Sequence, residues 1–199
     1  MPRLLRVILA SSAFYCASAQ VIEFENGGLR YQSLTKRGVT IMCARLPGQL
    51  KQYAMVQVAI SNGSDAYAMV KPEDFVYQLS GGSQLTAVQA REVVTAILDH
   101  GGHSDLVKLV TTYENAIYRI PNLKVRNSYE QRRQSALAEG TSGRFKAAAA
   151  AAAIALVPSR IPPGQSTDGA VFFPVSGKNF PQGRIVVHAG GDTFEFNAE

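Results

Sequence analysis

The sequence predicts an α+β protein in which two β-rich segments, 20–83 and 157–199, complete one β-sandwich with a helical insertion, 84–156, between them. Three observations carry this. Apolar residues alternate along both flanking segments and change to i, i+3/i+4 spacing in the middle. Each β segment is too short to bury a stable core alone, so the two belong to one core. An inserted stretch is tolerated where it leaves and re-enters a fold at adjacent surface points. The alternative arrangement is an α+β layer with the helices packed across an open sheet face.

The elements follow in chain order. Residues 1–19 read as a secretory signal peptide: Arg3 and Arg6 give a positive start, Leu4 to Phe14 a short apolar run, and Ala17-Ser18-Ala19 a small-x-small cleavage pattern. The run is too short for a permanent membrane span. Lipidation at Cys16 is the alternative, but it wants small residues where Phe14 and Tyr15 stand, so cleavage before Gln20 is the reading taken. In the first β segment, Gly38–Cys43 and Tyr53–Ile60 are strands. Asn62-Gly63-Ser64-Asp65 is a turn whose Asn-Gly suits the positive φ of a tight hairpin, with Ala66–Val70 as the return strand. Lys71-Pro72-Glu73-Asp74 is a second turn, Phe75–Leu79 a further strand, and Ser80-Gly81-Gly82-Ser83 ends the segment.

The helical period then begins with Leu85, Val88, Val93, Ile97 and Leu98, with Ser83 or Thr86 as N-cap. His100-Gly101-Gly102 breaks this helix and Ser104 caps the next, with Asp105 in its first turn. Leu106, Leu109, Val110, Tyr113, Ala116 and Ile117 form its apolar stripe, and Pro121 stops it. A third helix is expected over 128–139, capped by Ser128. After Gly140-Thr141-Ser142-Gly143, the seven alanines Ala147–Ala153 are expected to form a helix packed closely on its neighbours through small side chains. The second β segment has strands at Ala170–Val175, with Pro174 placing it at a sheet edge, and at Arg184–Ala189. Gly190-Gly191-Asp192 turns that strand into Thr193–Phe196.

Three stretches carry a resemblance. They are VQVAISNGSDAYAMVKPEDFVYQL, IPPGQSTDGAVFFPV and the terminal hairpin RIVVHAGGDTFEF, which together cover about half of the mature chain. They resemble a class of exported bacterial immunoglobulin-like β-sandwich domains, mostly of unknown function. The resemblance implies a Greek-key-like sandwich and a place outside the cytoplasm, and it supplies no catalytic residues. The helical stretch departs from the simple sandwich.

Composition excludes several classes. Hydrophobic residues are 46% of the 199 and charged residues 18%, which excludes a disordered chain. Two cysteines cannot form a disulfide scaffold, and loss of Cys16 leaves Cys43 alone in a strand-like apolar run, where a buried, inert thiol is expected. No phosphate loop or Gly-x-Ser-x-Gly elbow is present, and there is no recognised nucleic-acid motif. No cofactor is implied.

Two constellations remain. Asp99-His100-Gly101-Gly102-His103-Ser104-Asp105 puts two histidines and two aspartates within seven residues. His100 and His103 are thus candidate ligands, and a metal-dependent protein or hydrolase using this turn is the alternative function. Helix punctuation accounts for the same residues. Second, Arg119, Lys124, Arg126, Arg132, Arg133, Arg144 and Lys146 stand against only Glu130 and Glu139. Without Arg3 and Arg6 the mature chain has 18 basic and 15 acidic groups. The basic segment holds more than that whole excess, and the remainder is slightly acidic. These cations are expected to face an anionic envelope surface or an envelope protein, in a non-catalytic exported protein of the periplasm or exterior that uses this insertion or a sheet edge. The simpler reading is a solvated helix face.

Overall fold

A computed structural model describes residues 20–117, 142–177 and 182–198. It is an α+β structure dominated by antiparallel sheets. The first sheet runs in the order β1 (Ile22–Asn26), β2 (Leu29–Lys36), β3 (Val39–Leu50), β4 (Tyr53–Asn62) and β9 (Gln165–Pro174). The second runs β11 (Asp192–Ala198), β10 (Gly183–Ala189), β6 (Phe75–Leu79) and β7 (Gln84–Thr86). A two-stranded ribbon joins β5 (Ala68–Val70) to β8 (Ser159–Ile161). Each sheet, and the ribbon, takes strands from both sides of the helical stretch.

The two sheets share one core. Ile41, Val56, Val58, Ile60, Val171 and Phe173 of the first meet Phe75, Tyr77, Ile185, Val187, Phe194 and Phe196 of the second. Gly190 and Gly191, at φ +60° and +78°, make the tight β10–β11 turn expected from the sequence; this left-handed backbone is what a two-residue hairpin needs. Pro174 ends β9, which is the edge strand of the first sheet, where its missing N–H costs no ladder bond.

The helices are α1 (Ala90–His100), α2 (His103–Ile117) and α3 (Gly143–Ile154). They lie against the outer face of the first sheet. Val93, Ile97, Leu109, Tyr113 and the alanines 147, 148, 150 and 151 join Tyr53, Met55, Ala170 and Phe172 in a second core. Alternate residues of β4 therefore enter different cores, and nearly the whole strand is buried. The insertion covers a sheet face instead of standing away from a finished sandwich, so the layered arrangement and the sandwich coexist. The alanine run packs as expected: small side chains let α3 approach α1, α2 and the sheet closely.

Several expectations need correction. Asn62-Gly63 is a turn without positive φ, and Ala66–Val70 does not return beside β4. That flank of β4 is paired with β9 from Tyr53 to Asn62, so only Ala68–Val70 is strand, and it pairs with β8. Asn62 acts through its side chain. Fully buried, it donates to the carbonyls of Ala66 and Ile161 at 2.7 and 2.9 Å and accepts from the Ser64 amide at 3.1 Å. The helical period does not begin at 84. Gln84–Thr86 is strand because β6 offers it a partner edge, with Tyr77 opposite Leu85, and the helix starts at Ala90 after Gln89 rather than after Ser83 or Thr86. Ser104 does not cap α2. The Gly102 amide donates to the Asp105 carboxylate at 2.8 Å, so the helix is capped two residues earlier, at Gly102. Pro121 and the helix expected at 128–139 lie outside the described residues.

The chain leaves α3 through a close approach to β9. The Leu156 amide donates to the Ala170 carbonyl at 2.8 Å, and a Cβ on Gly169 would stand 2.6 Å from the Leu156 backbone. Only glycine permits this crossing from the helical layer to the sandwich.

Candidate interaction surface

α2 is fastened to the β3–β4 turn. The pairing of β3 with β4 shifts register between Arg45 and Gln49, and the lysine Nζ of Lys108 donates to the Gln49 carbonyl. Lys51, at φ +53°, pairs with Asp105 at 3.2 Å. The Asp105 carboxylate is 8% exposed and thus serves both the helix start and this ion pair.

That geometry separates the members of the 99–105 constellation. Asp99, His100 and His103 point to solvent, while Asp105 is turned inward. The residues between them form a helix break, so their directions diverge. Among the described residues no three His, Cys, Asp or Glu side chains gather as a metal set.

Of the basic constellation, Arg119, Lys124, Arg126, Arg132 and Arg133 lie outside the described residues. Arg144 and Lys146 open α3. Ser142 caps this helix, its hydroxyl accepting from the Phe145 amide at 3.3 Å. Arg144 is exposed and its guanidinium donates to the Leu98 carbonyl at 3.2 Å, which ties the start of α3 to the end of α1. Phe145, between the two cations, is 56% exposed. An open groove of about 700 Å³ runs here between Leu98, His103, Gly143, Arg144 and Phe145. The fold therefore brings His103 of one constellation beside Arg144 of the other, although 41 positions separate them in the chain. A guanidinium, an aromatic ring and an imidazole around an apolar floor suit an anionic group with an apolar body.

Other titratable groups have structural duties. Cys43 is buried and burial pushes its thiol far above the ordinary value, so it is inert as a nucleophile. Glu73 is held below the usual carboxylate range by a backbone hydrogen bond and by the Gln89 amide, which joins the Pro72–Asp74 turn to the start of α1. Asp74 is raised by desolvation while it accepts from the Lys71 amide at 2.9 Å.

Sequence reasoning missed a buried polar set under the helices. The Tyr113 hydroxyl donates to the Asp168 carboxylate at 2.7 Å, and the Tyr31 hydroxyl donates to the Gln57 side-chain carbonyl at 3.1 Å. Gln57 and Asp168 are 1% and 3% exposed. The signal was slight: a polar residue within each apolar strand, and one tyrosine on a helical stripe. Also unforeseen is the contact of the Arg160 guanidinium with the Tyr67 ring, 3.8 Å from its centroid, beside exposed Met69 on the β5–β8 ribbon. Among the described residues no helix is long and apolar enough to cross a membrane. No family model, curated protein or solved structure matches the chain.

Proposed function

We propose that this chain is an exported, non-catalytic interaction module of the bacterial envelope, in which the helical layer offers a cationic face to an anionic partner or surface. The observation that carries the reading is the start of α3. There, exposed Arg144 and Phe145 flank the groove with His103, at the end of the basic stretch 119–146. Among the described residues Arg144 makes one carbonyl contact here, while Asp105, Lys51 and Lys108 nearby are committed to packing α2. In this reading the signal peptide ends at Ala19 and the mature chain works in the periplasm or outside. The sandwich is of the immunoglobulin-like kind, supported by two antiparallel layers over one core with strands drawn from both chain segments. The helices are an added third layer.

The test is sedimentation of the purified protein with vesicles of phosphatidylcholine containing about one third phosphatidylglycerol, at low salt. Binding should fall about tenfold in Arg144→Glu/Lys146→Glu, each reversal removing about 1 kcal/mol or less at an exposed site. It should fall further when Arg126, Arg132 and Arg133 are reversed, and fade as salt rises. Equal sedimentation of all variants overturns the helical face as the binding surface.

A further inference from the structure

The sandwich treats its sheet edges differently. The open side of β11 is occupied by side chains from the first sheet. Gln32 both donates to the Asn197 carbonyl at 2.9 Å and accepts from its amide at 2.7 Å, as a neighbouring strand would. Lys36 donates to the Thr193 carbonyl and Arg45 to that of Ala198 at 3.2 Å. The open side of β9 is used by the amides of Val88 and Leu156, 2.9 and 2.8 Å from the Phe172 and Ala170 carbonyls. β7 is only three residues long. β1 differs: it pairs with β2 on one side, and among the described residues nothing pairs with the other. Its Ile22 and Phe24 are 64% and 36% exposed, and Phe24 stacks on Tyr31, with centroids 5.3 Å apart and planes 9° apart.

We propose that the outer edge of β1 is a strand-addition site for an extended partner-protein segment that alternates basic and apolar residues. An added strand hydrogen-bonds the outer backbone edge and lays its alternate side chains beside those of β1. On one face these are Ile22 and Phe24; on the other they are the exposed Glu23 and Glu25. Glu25 already faces Arg30 across the ladder, whereas Glu23 faces the neutral Gln32. Glu23 is therefore the carboxylate that a lysine or arginine of the partner meets. A second copy of β1 is the wrong occupant. The registers that set Phe24 opposite Ile22 or opposite itself place Glu23 of one copy against Glu23 or Glu25 of the other, and like charges directly opposed are destabilising. Neither Glu23 nor Phe24 lines the groove at the start of α3.

The probe is a blocked seven-residue peptide alternating lysine and valine, followed by backbone hydrogen exchange and fluorescence anisotropy with the purified protein. Saturating peptide should slow exchange in Ile22–Asn26 and leave Asp192–Ala198 unchanged. Glu23→Lys should weaken binding about fivefold and Glu23→Gln by less, since one cross-strand charge pair changes sign or disappears. A glutamate–valine peptide should bind about tenfold more weakly than the lysine peptide. Circular dichroism checks that the variants fold, as expected for an exposed position. Absence of protection in β1 overturns the proposal, as does equal binding of both peptides. Protection that grows with protein concentration alone assigns the edge to a second copy, and that also overturns it.

Discussion

The first sheet has two buried faces, closed by different means. Toward the second sheet it presents Val56, Val58, Ile60, Val171 and Phe173, and large aromatic residues such as Phe75, Phe194 and Phe196 fill the space between. Toward the helices it presents Met55, Ala170 and Phe172, and the facing layer closes with alanines. The first face is apolar apart from the Tyr77 hydroxyl, which reaches the Ala198 carbonyl at 3.4 Å, and the margin along β11, where Gln32 bonds Asn197 and Arg45 bonds Ala198. The second contains Gln57, Asp168, Tyr31 and Tyr113 as hydrogen-bonded polar groups. Sheets pack at a spacing that large side chains fill, and strand pairing already fixes their register. A helix made of alanine has few distinctive shapes to hold its position, so directional bonds supply the specificity that side-chain volume does not.

The sharpest contrast comes from deleting volume on one face and adding it on the other. Phe173→Ala should cost about 4 kcal/mol in denaturant unfolding, through lost transfer energy and a cavity between sheets that cannot collapse. A loss below about 1 kcal/mol would show that this face is not closely packed. Ala150→Leu, at a site 1% exposed, should cost about 3 kcal/mol because α3 has no room to retreat. A neutral result would mean that the helical layer is loosely seated. Tyr113→Phe should cost about 2 kcal/mol by removing a donor from a buried carboxylate. Exchange in α2 should rise while the sheet–sheet core stays protected; uniform loosening would mean that the bond serves the whole fold.

Cys43 tests the sheet–sheet face by pH. Its folded thiol value is raised, so its contribution is complete below the unfolded value of about 9 and is lost as pH climbs beyond it. Relative to Cys43→Ala, the protein should lose about 1.4 kcal/mol per pH unit above that point. Parallel pH profiles would show that the thiol is accessible to water. The smallest effect is expected at the edge. Gln32→Ala should cost about 1 kcal/mol and speed exchange in β11, leaving it open like β1. Unchanged exchange would show that the Gln32 amide does not guard that edge.

What was legible in the sequence follows from local rules. The Gly190-Gly191 hairpin, the helix break at Gly101-Gly102, the proline end of β9 and the alanine helix rest on backbone preferences carried by the residues themselves. The alternation in β4 also showed which residues share a face, and the burial of Cys43 followed from its apolar strand. The candidate site was half legible. The cations at 144 and 146 were visible as charge, but their meeting with His103 and Phe145 was not, because no spacing rule joins the starts of two helices.

Tertiary structure decided the rest. Whether 66–70 pairs with β4 or with β8 depends on β9, which lies about a hundred residues later in the chain and occupies that edge of β4. Whether 84–86 is strand or helix depends on the free edge of β6. Asp105 is a helix start and an ion-pair partner because the β3–β4 turn lies beneath α2. Propensity and period act within a few residues, so the sequence alone determined the Gly190-Gly191 hairpin, the alanine helix and the two faces of β4. Pairing, register and the choice of which edges stay open are competitions between distant segments for the same backbone groups, and only the folded chain resolves them.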